Sequence, residues 1–147
     1  MKNTKIKNVF RSGPIPSDFV SEAIAKHQSK TGIGAHNIFL GQVRADVIAG
    51  KAVTAIEYTA HEDMANRIFH ELREATFKKY DLTCMHIYHS LGKVPAGSLC
   101  LFVFVSAPHR KVTYEALEFL VEEIKAKAPI FGKEVFEDQS HQWKVNT

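Results

Sequence analysis

The stretch "GSLCLFVFVSAPHRK", residues 97 to 111, decides the fold. From Leu99 to Val105 every residue is apolar, without the alternation of a strand that has one face in water. Such a run fits a central strand covered on both sides. After the polar "PHRK", apolar residues return at helical spacing from His109 to about Lys127, with Val112, Ala116, Leu117, Leu120, Val121 and Ile124 forming one stripe. A buried strand that passes into a long amphipathic helix predicts a core built from both kinds of element.

Working outward, "LTCMHIYHSLG" (82–92) is separated from this strand only by "KVPAG", which predicts two neighbouring strands. "TAIEYTA" (54–60) reads as another strand. "HEDMANRIFHELREATFKKY" (61–80) reads as a second helix, with Met64, Ile68, Leu72 and Ala75 on one face. "AHNIFLGQVR" (35–44) predicts a strand with Gly41 near its end, where a bulge or a close approach is permitted. "ADVIAGKAV" (45–53) reads as a flexible loop. Nearer the N-terminus, "IKNVF" (6–10) predicts a first strand, and Ser17 a cap for a helix over about 18–29. "TGIG" (31–34) lacks the third glycine and the GKS or GKT of a phosphate loop, and reads as a turn. Pro129 stops the last helix, and "EVFED" and "HQWKV" predict a terminal hairpin around "QSH".

At 147 residues and 45% hydrophobic, the chain has enough material for one core and reads as a single domain, residues 1–147. No apolar run reaches membrane-spanning length, and "MKNTKIKNVF" lacks the apolar segment of a signal peptide, so the expectation is a soluble, cytoplasmic protein. The 19 Lys and Arg against 16 Asp and Glu give a net charge of +3, too slight and too scattered to point to nucleic acid. Cys84 and Cys100 lie in apolar strands outside any CxxC pair and read as reduced, buried thiols.

Chemistry must therefore sit in small clusters. Lys125, four residues after Val121 and eight after Leu117, stands on the edge of the apolar stripe. It is either a snorkelling lysine with a packed stem or a partly desolvated amine able to serve as acid, base or nucleophile. His109 and Arg110 occupy a strand-to-helix junction, where exposed backbone N–H groups and an Arg favour a phosphate or carboxylate. Arg44 repeats the argument at another strand end. Cys84, His86 and His89 match no zinc spacing, and alternation puts His89 on the opposite face from the other two, so no metal is expected. Ser106 and His109 lack a nucleophile elbow and an acid partner.

Taken together, "FLGQVR", "SAPHRKVTYEA" and "IKAKAPIFGKEVFEDQSHQW" resemble the catalytic, large subunit of molybdopterin synthase, in that family's order of elements from about Ala35 to Trp143. The resemblance implies an α+β fold of the α/β hammerhead type, about three helices packed on a mixed sheet, with an added small antiparallel β subdomain. It implies no cofactor. It further implies a homodimer carrying one small, ubiquitin-like sulfur-carrier subunit on each protomer, a heterotetramer in all. The implied reaction converts cyclic pyranopterin monophosphate (precursor Z) to molybdopterin, with sulfur supplied by thiocarboxylates at the carrier's C-terminal glycine.

By position, the family's essential helix lysine falls on Lys125, and its substrate contacts on Gln42, Val43, Arg44, His109, Arg110, Gly132, Lys133 and Glu134. A pocket of Arg44, His109, Arg110, Lys125 and Lys133 would meet the anionic phosphate and the carrier tail with complementary charge. The sequence departs from the family at two points. Gln42 stands where a basic residue is often found, and Gly132 stands where a lysine important for activity is usual. Either Lys133 swings into the pocket because Gly132 frees the local backbone, or the substrate is held more weakly. Two other readings compete: a noncatalytic carrier-binding homologue that lost turnover at Gly132, and a generic anion-binding protein.

Overall fold

The computed structural model describes residues 5–145. Strand β6 (Leu99–Ala107) lies between two antiparallel partners, β2 (Ala35–Gln42) and β5 (Cys84–Pro95). Its alternate side chains enter two separate cores. Leu101, Val103 and Val105 are fully buried in a cluster with Phe69 and Leu72 of helix α2 (Glu62–Lys79) and Leu117, Leu120 and Ile124 of helix α3 (Arg110–Lys127). Phe102 and Phe104, stacked 6.0 Å apart, pack on the opposite face with Phe19, Val20, Ala23 and Ile24 of helix α1 (Ser17–His27). The unbroken apolar run thus reports helices on both faces. It does not report the middle of the sheet, because β2 alone separates β6 from the edge in the order β2-β6-β5-β4-β7-β8.

β5 joins two portions of that sheet. Its first half, Cys84–His89, pairs with β6. His89, Ser90 and Leu91 pair in parallel with β1 (Phe10–Ser12), and Gly92 to Pro95 pair with β4 (Lys51–Ala60). Gly92 takes a left-handed φ of 84° at this changeover, a conformation that suits glycine. Beyond β4 the sheet continues through β7 (Ile130–Phe136) and β8 (His141–Trp143), and β3 (Val47–Ile48) caps the start of β4. The result is an α+β fold of three helices on a mainly antiparallel sheet with a small β extension. Among the described residues, no helix is long and apolar enough to cross a membrane.

Several boundaries differ from the sequence expectation, for local reasons. The first strand starts at Phe10 and not at Ile6: the Val9 N–H donates to Asn66 Oδ1 (2.9 Å) and the Phe10 N–H to Asn8 Oδ1 (3.1 Å). The expected loop 45–53 is mostly a hairpin, because Ala49 (φ 52°) and Gly50 (φ 80°) both adopt the left-handed conformation of a tight two-residue turn. Strand β7 begins directly after Pro129, earlier than the expected hairpin, because it pairs with β4 from Ala60↔Ile130 to Val53↔Phe136. Pro16, one residue before Ser17, holds the capping position of α1. The bulge permitted at Gly41 is present, between Gly41 and Gln42. Both cysteines are free and buried.

The "TGIG" turn has a packing role. The Gly34 N–H donates to the Ala107 carbonyl (3.0 Å), and a Cβ on Gly34 would lie 2.1 Å from the Pro108 carbonyl oxygen. Only glycine lets the chain come this close to the junction of β6 and α3. A Cβ on Gly32 would meet nothing within 4 Å. Gly34→Ala is therefore expected to lower the unfolding free energy by about 2 kcal/mol or more, and Gly32→Ala to change it by less than about 0.5 kcal/mol. Urea unfolding of the two variants checks this; equal midpoints would refute it.

Beneath α1, His27 and His86 meet with their Nε2 atoms 2.9 Å apart, and the Phe104 ring packs against both. His27 Nδ1 donates to the Ala23 carbonyl (2.6 Å), so its Nε2 accepts from His86. Burial, and then the positive charge of His27 when protonated and of Lys7, Arg73 and Lys30, pulls the His86 pKa down from 6.5 to about 4. A depressed histidine pKa means that protonation favours the unfolded chain, so its contribution is complete above pH 6.5 and lost as pH falls toward 4. Between those values His86→Gln should soften the acid loss of stability by about 1 kcal/mol, allowing for the half-exposed position. Thermal melts across that window test it, and parallel curves for variant and parent would contradict it.

Candidate active site

Where α3 ends, the chain turns at Pro129 and returns as β7, enclosing a cavity of about 320 Å³ between the helix end, β4, β5 and β7. The helix supplies Ile124, Lys125 and Ala128. Strand β7 supplies Ile130, Phe131 and Gly132. Tyr58 comes from β4, His89 from β5, and Trp143 and Lys144 from the end of β8. Tyr58 and Gly132 are direct register partners, and a Cβ on Gly132 would lie 3.0 Å from Ile56 Cγ2 and 3.3 Å from Tyr58 Cε1. The glycine is thus where β7 makes room for the tyrosine ring.

His89 is 4% exposed, and burial above all holds its pKa near 4; the Lys125 ammonium acts the same way, while a hydrogen bond to Ser90 opposes them. It is neutral at physiological pH. Its Nδ1 lies 2.7 Å from the Ser90 carbonyl, which can only accept, so Nδ1 carries the proton and Nε2 keeps a lone pair. The Tyr58 ring stands edge-on to the imidazole at 5.0 Å. Burial first, then neighbouring Cys100 and Glu134, raises the Tyr58 hydroxyl pKa well above its ordinary value, so that hydroxyl remains a donor. The cavity therefore offers a neutral base, a phenol and the ammonium groups of two lysines. Among the described residues, no three His, Cys, Asp or Glu side chains could together hold a metal ion.

The residues expected from the sequence separate into distinct places. Lys125 lines the cavity and is exposed. The apolar-edge position therefore opens onto a pocket next to the buried Ile124, and burial does not hold the lysine there. Gly132 lines the same cavity. Lys133 does not. Strand alternation points it away from the face of Gly132, and its Nζ lies 3.8 Å from Glu57 Oε1. The swing of Lys133 into the pocket, one of the two alternatives, is thus not seen, because β7 is a regular paired strand at this point.

Glu134 returns to the inner face, 5% exposed, and accepts from Gln142 Nε2 (3.3 Å). Gln42, Val43 and Arg44 lie at the end of β2, opposite Leu99 and Ser98 at the start of β6. The Val43 side chain is core at 2% exposed, and Arg44 is exposed and bonded to Asp46 (3.2 Å). His109 and Arg110 are exposed at the N-terminus of α3. Arg110 and Lys125 are thus separated along one helix by roughly 22 Å, at about 1.5 Å per residue. The chain by itself does not bring the whole set together.

Sequence reasoning missed Tyr58, His89, Trp143 and Lys144 as cavity residues. Alternation had assigned His89 to the face opposite His86, and the structure agrees: His86 meets α1 while His89 meets the α3 side. What joins these residues is the pairing of β4 with both β5 and β7, which no local pattern encodes.

Comparison with known proteins bears on the family and the fold. The family model described as MoaE protein matches residues 15–127. A molybdopterin synthase catalytic subunit from Aspergillus fumigatus is 35% identical over 121 residues, 82% of this chain and 64% of that protein. One from Drosophila mojavensis is 40% identical over 118 residues, 77% of this chain and 31% of that protein. The chain thus spans from under two thirds to about one third of the length of these curated relatives. Among solved structures, molybdopterin synthase from Staphylococcus aureus superposes with a TM-score of 0.81 at 28% identity, over 96% of this chain and 99% of that one. A complex of subunits 1 and 2 of molybdopterin-converting factor from Helicobacter pylori shares the fold, with a TM-score of 0.78 at 19% identity over 92% of this chain and 89% of that one. With most of its length matched by the family model and its fold shared with these structures, the chain belongs to the MoaE protein family.

Proposed function

We propose that this chain is the catalytic subunit of a molybdopterin synthase, a sulfurtransferase that adds sulfur from a thiocarboxylated carrier to cyclic pyranopterin monophosphate (precursor Z). The observation that carries the reading is the cavity at the end of α3, where Lys125 stands beside the neutral His89 and the protonated Tyr58. Sulfur transfer from a thiocarboxylate forms a new C–S bond on the pterin and breaks the acyl C–S bond when water attacks the acyl carbon. It therefore needs a cation to stabilise the oxyanion of that step and polar groups to hold the water and the departing sulfur. Lys125 supplies the charge. His89 Nε2 can accept a hydrogen bond and the Tyr58 hydroxyl can donate one. Phe131 and Trp143, both exposed, stand at the cavity mouth, as aromatic residues do on docking surfaces, and suit the carrier's approach.

The placing of the remaining basic residues suits a homodimer, which in this reading is cytoplasmic and carries one carrier on each protomer. Arg44 lies at the same end of the sheet as Lys125, because β2 and α3 both run antiparallel to β6 or back along it. His109 and Arg110 lie at the other end of α3, too far to serve the cavity of their own protomer. In this reading they complete the cavity of the second protomer, where they meet the substrate's phosphate together with Arg44 and the Gln42–Val43 backbone.

Purified protein supplied with thiocarboxylated carrier and cyclic pyranopterin monophosphate is expected to form molybdopterin, followed as its fluorescent oxidised pterin. Lys125→Ala should lower turnover by about 100-fold or more with folding intact. Carrier binding without product from the unaltered protein would instead favour the noncatalytic homologue. Mixing Lys125→Ala with Arg110→Ala protomers tests the shared site: dimers with one intact cavity should recover a substantial part of the activity. No recovery on mixing would show that the two residues serve the same protomer.

A further inference from the structure

We infer that Lys144 is a second anion-binding side chain of the cavity, seated across the β7–β8 hairpin from Gly132. The assignment rests on the reading of the cavity as the synthase site and identifies a residue that this reading did not contain. The register of the hairpin pairs Val135 with His141, Glu134 with Gln142 and Lys133 with Trp143. One step further places Lys144 opposite Gly132, and the Lys144 N–H donates to the Gly132 carbonyl at 2.8 Å. Directly opposed residues of an antiparallel pair present their side chains on the same face. The face of Gly132 is the cavity, and Lys144 lines it, half-buried between the exposed Trp143 and Val145.

Two further observations make this position a binding one. Among the described residues no aspartate or glutamate lines the cavity, while both Lys125 and Lys144 do, and His89 between strand and helix is neutral. Lys144 therefore brings a positive charge to a wall that carries no carboxylate of its own, which favours an anion. Gly132 itself has no room for a long side chain without displacing Ile56 or Tyr58, so a cation on this wall has to come from the neighbouring strand. Lys133, the nearest lysine in sequence, faces the other way toward Glu57. The chemistry recognised is an oxyanion of low valence, a phosphate monoanion or a terminal carboxylate or thiocarboxylate. The pterin phosphate and the carrier tail are its two sources.

The test uses the full chain with its carrier, comparing Lys144→Met, which keeps the stem, Lys144→Arg, which keeps the charge, and Lys78→Met on the exposed face of α2. Lys144→Met is expected to reduce kcat/KM by about tenfold or more, Lys144→Arg to restore most of it, and Lys78→Met to leave it unchanged. A rise confined to the KM for the pterin identifies the phosphate as the ligand. Weaker equilibrium binding of carboxylate-ended carrier identifies the tail. Wild-type values for Lys144→Met in both measurements overturn the assignment. Should the unaltered protein make no product, the synthase reading fails separately. The binding of carrier and of inorganic phosphate to the same variants then still decides whether Lys144 holds an anion.

Discussion

The structure depends on β5 being shared. Its first half is held by β6 and its last residues by β4, with β1 bridging the changeover. A strand of 12 residues that satisfies its backbone groups first on one partner and then on another ties two sheet portions into one frame. On one side of the frame, β6 is sealed between α1 and the α2–α3 pair. On the other, β4 receives β7, and the turn at Pro129 brings the end of α3 against that extension. The cavity is the gap left between a helix anchored to the first portion and a strand anchored to the second. Its shape follows from the sheet and not from any loop of its own.

This origin explains the cavity's chemistry. Side chains that reach it from β4 and β5 come from the buried face of a sheet, so His89 and Tyr58 are desolvated and remain neutral. Those that reach it from the helix end and the hairpin come from edges, so the lysines keep access to water. Burying an ammonium without a partner costs several kcal/mol, and placing the charges at the rim avoids most of that loss while keeping their field directed into a low-dielectric pocket. The same frame puts His109 and Arg110 at the far end of α3. On the proposed reading, a site that draws on both ends of one rigid helix takes them from two copies of the chain.

Much of this was legible in the sequence wherever the signal was local. The apolar run 99–105, the stripes of α2 and α3, the stop at Pro129 and the edge position of Lys125 each follow from periodicity over one or two turns. What escaped was either turn chemistry in an unusual residue or long-range pairing. Ala49 adopts a left-handed conformation ordinarily left to glycine or asparagine, so the β3–β4 hairpin read as a loop. The early start of β7 is imposed by β4, some seventy residues upstream, and only that pairing makes Gly132 face Tyr58 and Lys133 face Glu57. A glycine read without its strand partner leaves the lysine one place along free to turn inward. As a paired strand it cannot, because a shift of one residue reverses the face.

The same rule bears on Gly132. The resemblance puts a lysine important for activity at this position, and the proposed reading needs a cation on that wall of the pocket. A cavity wall made by a two-stranded hairpin has two positions from which one point in space can be reached, one on each strand and directly opposed. Their occupants can exchange: glycine on β7 gives the Tyr58 ring its room, and lysine at 144 returns a positive charge to the same face. The sequence departs from the family at a residue, whereas the electrostatics of the pocket are a property of the pair. Seen as a pair, Gly132 and Lys144 keep what Gly132 alone would have given up.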